Sequence, residues 1–595
     1  MLLSKKFKPT FLFKPWITQN AVKSSTASLK EIPVQKTKTE TKIEDHEETP
    51  NEKLKKSEDL VTQTTPKLEV ITTDDVSTSL IEKRESSEAL LNADPFDEVP
   101  GPEILRKLSS VWKYLPVVGS QATVSALLSF FRIAQSTRSL KIFGGGSHRP
   151  FTRLFEKYGP IVKLQGPLGA EIVLLNRPEH IAKIYDQEGR YPVRSTLDSV
   201  EKCRSKTRKN CGGPFNLCGA EWEEIRKAIH EPLLKGGEKY FAPIETSGGL
   251  FVQRVRAIRN RQNEVQGDLM MEIKRWSLEC LCYVTLNKSL GFLTHDSTIW
   301  TSEPARLLKS INDATNSIIK LESGFQLWRI MNTPTLSILT QSCEIIDSIL
   351  SKHIRQAHLN LTKKKDEFIT GNKNSNEDLT FIESMLLNEC MTPDEVLTSI
   401  LDVLLIGVNT TSSALGFMLY HLAQNQRAQR TLFKEIKEIL PEKRSKLHFS
   451  QMNSLKYLEA CMKESFRLKM PMPILTRVLP SDIALSNFRI PKGAYMVMDA
   501  QAAGLREQDF EKADKFVPER WLEPENIHPF ASIPFGHGSR SCVGKVLAEV
   551  QIGVCLAKII RNFQIEYNYG AIQGTDNVIS FPDKPLRLSF IERDE

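Results

Sequence analysis

Apolar residues recur at helical spacing from Gln262 to about Asn360, again from Thr392 to about Gln426, and once more after Val543. Thr392-Pro393-Asp394-Glu395 combines a capping box with a proline at the first helical position, which predicts the start of a long helix. Carried on to Gln426, that rod is about 50 Å long at about 1.5 Å per residue. Its middle, Gly407-Val408-Asn409-Thr410-Thr411-Ser412-Ser413, is made of poor helix formers, roughly 3–4 kcal/mol below an alanine run. A helix that tolerates this is either held by tertiary packing or opened there for a ligand. Val543, Val546, Leu547, Val550, Ile552, Val554 and Leu556 predict a second buried helix. Shorter signals surround these rods. Phe151–Tyr158 reads as a helix, while Ile161–Leu164 and Glu171–Leu175, joined by a Gly/Pro turn, read as a hairpin. Thr362–Asp378 reads as a polar surface loop, and Gly144-Gly145-Gly146 as a flexible turn without phosphate-loop spacing.

The N-terminal region follows neither period. Residues 1–30 hold six lysines, several apolar residues and no Asp or Glu. That mixture fits a mitochondrial transit peptide or a basic tail, although Arg is absent. Nothing in it approaches the ~20 apolar residues of a membrane span, so no transmembrane helix is expected. Residues 31–94 are rich in Thr, Glu and Lys and nearly free of aromatics, which predicts a disordered charged linker. The stiff Pro95-Phe96-Asp97-Glu98-Val99-Pro100-Gly101-Pro102 segment then opens a folded domain running over 95–595.

Composition narrows the classes. A chain of 595 residues with 40% hydrophobic content can bury a large core. The net charge of +8 is mild and its basic residues are interleaved with acids, so nucleic acid is excluded as a partner. Ten scattered cysteines show no CxxC pair and no Cys/His zinc spacing; they read as free thiols in a reducing compartment. Cys203, Cys211 and Cys218 form a loose cluster with no histidines in register.

One cysteine stands apart. In Pro534-Phe535-Gly536-His537-Gly538-Ser539-Arg540-Ser541-Cys542-Val543-Gly544, Gly538 and Gly544 relax the backbone, Phe535 offers an apolar plate, and Arg540 offers a cationic fork for a carboxylate. The helix predicted after Cys542 would place the sulfur near a helix N-terminus, which favours the thiolate. A buried anionic sulfur is costly without a partner, so a metal is the natural occupant; a structural cysteine in a glycine-rich turn is the alternative.

This loop resembles the cysteine-ligand loop of the cytochromes P450, the haem-thiolate monooxygenases, and the likeness extends in the family's order over residues 95–595. It implies a mainly α fold with small β-sheets, with haem b between the Thr392–Gln426 helix and the helix after Cys542. Cys542 becomes the axial thiolate and metal ligand. Trp222 and Arg226, an i,i+4 pair that alone fits amphipathic packing equally well, match the family's grip on a haem propionate. Arg477, in the strand after Met470-Pro471-Met472-Pro473-Ile474-Leu475, matches another propionate contact. Ile406–Thr411 resembles the oxygen-groove motif, with Thr410, flanked by Thr411, as the residue that manages the oxygen's protons. Two departures appear: Ile406 replaces a small residue and Asn409 replaces an acid. Asn cannot ionise, so Asn409→Asp is expected to raise the fraction of electrons ending in product. Glu464 and Arg467, with Arg520 of Phe516-Val517-Pro518-Glu519-Arg520-Trp521, resemble a structural Glu-Arg-Arg lock.

The chain has no flavin, nicotinamide or iron–sulfur fingerprint, so electrons come from outside. The Glu188-Gly189-Arg190-Tyr191-Pro192-Val193-Arg194 stretch resembles the mitochondrial, arthropod-like branch. That branch implies an adrenodoxin-type ferredoxin as donor, peripheral contact with the matrix side of the inner membrane, and a lipophilic steroid- or lipid-like substrate used with O2. Lys456, Lys463 and Lys545 are the docking cations, with Glu459 and Val546 where further cations are common; a solvated helix face is the plain alternative. Two rival functions stay open. One is a haem-thiolate isomerase or dehydratase without a redox partner, against which Thr410 and Thr411 argue; the other is a non-catalytic haem-binding or lipid-sensing protein.

Overall fold

The computed structural model describes residues 88–103 and 151–594, apart from 166–170, 208–211, 295–298, 300, 324–326, 370–378, 389, 524–526 and 576. The transit-peptide reading of 1–30, most of the 31–94 linker and the Gly144-Gly145-Gly146 turn lie outside the described residues.

Short elements come first: α1 (Thr152–Tyr158), β1 (Ile161–Gln165), β2 (Glu171–Leu175), α2 (Pro178–Asp186) and α3 (Asp198–Thr207). Longer helices follow: α4 (Gly219–Lys239), α5 (Phe241–Ile258), α6 (Leu269–Leu286), α7 (Glu303–Ser323) and α8 (Pro334–Ile369). After α9 (Phe381–Leu386) come the central α10 (Pro393–Gln424), α11 (Gln426–Ile439) and α12 (Lys456–Leu468). The chain ends through β3 (Ile474–Val478), β4 (Ile483–Leu485), β5 (Phe488–Ile490), β6 (Tyr495–Asp499), α13 (Ala500–Ala503), α14 (Lys545–Asn562), β7 (Phe563–Glu566) and β8 (Ser589–Glu592).

The hairpin reading of β1 and β2 holds, with Ile161 opposite Leu175. What the local pattern could not show is that β2 pairs in parallel with β6, more than three hundred residues on, giving the order β1-β2-β6-β3. Every residue of β6 is buried, which fits the centre of a covered sheet. Arg477 on β3 lies opposite Met496, so the sheet fixes its place.

The expected polar loop at Thr362–Asp378 is corrected over its first part, where α8 continues through Ile369; residues 370–378 lie outside the described residues. Its Lys363-Lys364-Lys365-Asp366-Glu367 run is polar but not helix-breaking, since Lys and Glu are good helix formers.

Helix α10 starts as its sequence dictates. Thr392 accepts from the Glu395 amide, and the Glu395 carboxylate accepts from the Thr392 amide at 2.7 Å. It ends at Gln424, slightly earlier than the periodicity suggests, and Asn425 separates it from α11. Among the described residues it is the one helix long and apolar enough to cross a membrane, but most of it is buried inside the protein, against α6, α12 and α14. The poor helix formers at its centre do not open it. Asn409 and Thr410 bond back to the carbonyls of Leu405 and Ile406, and Ser412 to that of Val408. At Gly407 a Cβ would meet Leu281 Cδ1 of α6 at 3.1 Å, so the missing side chain lets the two helices approach. Packing therefore holds the stretch.

Candidate active site

Between α10 and the loop preceding α14 lies a cavity of about 460 Å³. It brings together nine residues singled out from sequence: Trp222 and Arg226 from α4, Thr410 and Thr411 from α10, Arg477 from β3, and Phe535, Arg540, Cys542 and Gly544 from the loop.

The loop is folded on itself. The Cys542 amide donates to the Phe535 carbonyl at 2.8 Å, and Gly536 and Gly538 take positive φ of 70° and 71°. Phe535 sets its ring edge-on against Phe466 of α12, 5.3 Å between centroids. Cys542 stands three residues before α14, slightly further from the helix than the apolar pattern suggests. Its side chain is deep within the protein yet exposed to the cavity. Its thiol is pushed up by burial, opposed by the Gly544 amide and by the charges of Arg226 and Arg194. The sulfur is thus reachable from the cavity but poorly ionised on its own, the condition in which a metal supplies the missing stabilisation.

Four guanidinium groups surround the same space: Arg194, Arg226, Arg477 and Arg540. Arg540 donates to the carbonyls of Pro192 at 3.1 Å and Leu217 at 2.9 Å, and lies 3.7 Å from the centre of the Trp222 ring. Among the described residues, its Nη1 is buried without a partner, as is Nε of Arg194. Burial and mutual repulsion pull both Arg194 and Arg540 down to about 10. Arg477 is paired, donating to Glu188 at 2.7 Å. Buried cations with idle donors call for an anion. A flat group carrying two carboxylates, with a metal for Cys542, meets both needs, so these residues fit haem.

Sequence reasoning missed Arg194 and Glu188 as parts of this site, although it singled out the Glu188–Arg194 stretch that contains both. Gly538, in contrast, does not line the cavity; its absent side chain makes room for Glu188, whose Oε1 lies 1.9 Å from where a Cβ would stand.

Asn409 is not in the cavity wall either. It is fully buried, donating to Thr315 Oγ1 of α7 at 2.8 Å and to Leu405 O at 2.7 Å. Its amide is occupied away from the cavity, which removes the physical basis for expecting Asn409→Asp to improve coupling. Thr410 does line the cavity; its hydroxyl donates to Ile406 O at 3.0 Å and keeps its acceptor capacity.

The remaining residues lie behind the loop. Glu464 and Arg467 are both fully buried and joined by two bonds of 2.9 and 2.7 Å, while Arg520 reaches Glu464 at 3.2 Å. Arg467 also donates to the carbonyls of Gly504 and Ala513, and Trp521 to Glu464. This network is therefore no surface salt bridge. Lys463 is bonded to Glu459 at 2.8 Å, with Lys456 at 4.0 Å from the same carboxylate. Lys545 belongs to the same charge cluster, acting on both Glu459 and Glu549.

Comparison with known proteins agrees with the geometry. The family model "Cytochrome P450" matches residues 128–590. The chain is 29% identical to "Probable cytochrome P450 301a1, mitochondrial" of Drosophila melanogaster, over 84% of this chain and 87% of that protein. It is 31% identical to "Cytochrome P450 CYP12A2" of Musca domestica, over 73% and 84%. To "Cytochrome P450 302a1, mitochondrial" of Drosophila melanogaster it is 26% identical, over 84% and 96%. The mostly helical fold and the cysteine-bearing loop agree with a family that uses haem on a cysteine thiolate, and the chain belongs to the cytochrome P450 family of haem-thiolate monooxygenases.

Proposed function

We propose that this enzyme places one oxygen atom of O2 into a lipophilic, steroid- or lipid-like substrate, with Cys542 as the axial thiolate and a ferredoxin with its reductase as electron source. When bound, haem supplies the oxygen-splitting chemistry, which the electron-rich thiolate promotes. Trp222, Arg226, Arg477 and Arg540, joined by Arg194, would hold its propionates. Phe535 shields the sulfur side, Gly538 and Gly544 shape the loop, and Glu464, Arg467 and Arg520 brace the chain behind it. On the opposite wall Thr410, with Thr411 beside it, holds and passes protons through its hydroxyl.

The observation that carries the reading is the convergence of Cys542, idle arginine donors and Thr410 on one cavity. Apolar side chains such as Ile406, Met472, Leu475 and Val578 line the same cavity as the thiol and suit a lipophilic substrate. Exposed Leu327, Ile330 and Met331 between α7 and α8, with exposed Ile338 near the start of α8, support peripheral membrane contact. The names of the relatives support a mitochondrial site, with 1–30 as the transit peptide, 31–94 as a linker and 95–595 as the haem domain. Lys456, Lys463 and Lys545 form the docking face for an acidic ferredoxin.

The test is reconstitution with ferredoxin, reductase and NADPH, following isotopic oxygen from O2 into a panel of sterols and other lipids. Cys542→Ala is expected to abolish both incorporation and the thiolate signature of the reduced carbon-monoxide complex. Retention of that signature in Cys542→Ala overturns the assignment.

A further inference from the structure

The cavity lining also carries four carboxyl side chains: Asp198, Glu322, Asp402 and Asp499. Three are committed. Asp198 takes the guanidinium of Arg329, Asp402 that of Arg204, and Asp499 accepts from the Ala502 amide at 2.8 Å. Glu322, at the end of α7, is only 5% exposed and makes no ion pair among the described residues, although Arg329, bound to Asp198, favours its carboxylate. Ser199 of α3 donates its amide at 2.8 Å and its hydroxyl at 2.6 Å, both to Oε1. Among the described residues no bond reaches Oε2. A carboxyl held on one oxygen and left with spare capacity on the other, inside a largely apolar cavity, is an incomplete arrangement.

We propose that Glu322 is a specificity-determining residue that takes the hydroxyl group of an otherwise apolar substrate. This rests on the monooxygenase reading above and names the substrate class within it. Burial pushes the Glu322 carboxyl up to about 7, with neighbouring Asp198 adding to the effect and the Ser199 hydroxyl opposing it. Near neutral pH the group is therefore present as both acid and carboxylate. A hydroxyl donates to the carboxylate and accepts from the acid, so it is served in either state. An ammonium suits only the carboxylate, and a ketone only the acid. Ser199 fixes the carboxyl in place, so the substrate's polar end is set by one rigid contact while the apolar wall accepts the rest.

The test uses the haem-loaded full chain with dodecan-1-ol and dodecyl methyl ether, whose binding is read by equilibrium dialysis. At about pH 9, where the Glu322 carboxyl is ionised, the wild type should prefer the alcohol about tenfold, because the ether cannot donate to a carboxylate. Glu322→Leu should bring the two affinities within about twofold, by weakening the alcohol rather than both. Glu322→Gln, whose amide can donate to the ether as well as to the alcohol, should narrow the preference while keeping the alcohol bound more tightly than Glu322→Leu does. If Glu322→Leu does not fold, infrared difference spectra of the wild type decide. At the same pH, dodecan-1-ol should shift a carboxylate stretch that the ether leaves unmoved and that is missing in Glu322→Gln. Equal wild-type affinities, no binding of either probe, or a preference that survives Glu322→Leu each overturn the proposal. Dialysis requires no turnover, so a lost oxygenation with the preference intact tells against the monooxygenase reading instead.

Discussion

Arg477 Nε donates to Glu188 Oε2 at 2.7 Å, and both side chains are more than nine-tenths buried. The pair joins β3 to the segment after α2, and Arg477 also lies over the Tyr185 ring at 4.7 Å. Among the described residues it is the one of the four cavity arginines that pairs with a carboxylate of the chain itself. Glu188→Ala leaves a buried guanidinium uncompensated beside three others, so unfolding in denaturant should show a loss of about 3–5 kcal/mol in the haem-free protein. A loss below 1 kcal/mol would mean that solvent already reaches Arg477.

Gly538 is tied to the same carboxylate. It combines a φ of 71° with the 1.9 Å approach of Glu188 Oε1 to a notional Cβ. Gly538→Ala therefore meets both backbone strain and a collision, and should cost more than about 1 kcal/mol, the usual cost of the conformation alone. Part of that cost should disappear when Glu188 is also replaced by Ala, which a double-mutant cycle of melting curves would read.

Asn409 gives the opposite lesson to its neighbour Thr410. With Nδ2 bonded to Thr315 and Leu405, Asn409 ties α10 to α7, and its Oδ1 is buried without a partner. Asn409→Asp replaces that donor with an acceptor facing the Leu405 carbonyl. A loss of about 1–3 kcal/mol in stability is expected, with coupling of electrons to product no better than wild type. Improved coupling at unchanged stability would restore a direct proton role for this position.

How much of this was legible beforehand follows from the physics of each element. The start of α10 was readable because a capping box is local, all four residues lying in one turn. The Cys542 loop was readable because its chemistry sits in one short stretch. The β2–β6 pairing was not, since no local pattern encodes which distant strand lies beside another. The partner of Arg477 was hidden for the same reason, as Glu188 is 289 residues away. Asn409 failed differently: the motif fixes its place on the helix, but rotation by one residue decides whether a side chain meets the cavity or the next helix. Polar composition misled at Thr362–Ile369, where Lys and Glu mark an exposed helix as readily as a loop.

Two buried histidines make stability depend on pH. Burial pulls His421 down to about 3, with Lys469 and Arg467 adding to it, and pulls His180 down to about 4, with Arg177 adding to it. His421 Nδ1 lies 2.9 Å from Ser465 Oγ and its ring stacks on Phe516. Both are neutral when folded, while in the unfolded chain each takes up a proton below about pH 6.5. Their contribution is therefore complete above about 6.5 and is lost as pH falls from there toward 4 and then 3. Unfolding free energies measured across that window should decline steadily. His421→Gln should flatten the decline, and an unaltered slope would show that this ring is hydrated in the folded state.

The docking face carries its own brake. Glu459 is about half exposed and bonds Lys463 at 2.8 Å while standing 4.0 Å from Lys456, so one carboxylate tempers two of the three proposed docking cations. Lys463 holds the Glu459 carboxyl below its ordinary range, and the carboxylate stays charged at any pH where an acidic ferredoxin is itself charged. Exposed pairs of this kind contribute only about 0–1 kcal/mol to folding, so Glu459→Gln should leave the melting temperature nearly unchanged. It should instead release Lys456 and Lys463 toward the partner. Stopped-flow reduction by an adrenodoxin-type ferredoxin is then expected to become severalfold faster at low salt, and to slow more steeply as added salt shortens the screening length toward about 10 Å. Lys463→Glu should move both quantities the other way. If neither variant alters the rate or its salt dependence, electrons enter elsewhere, and the Lys456–Lys463 helix face is merely solvated.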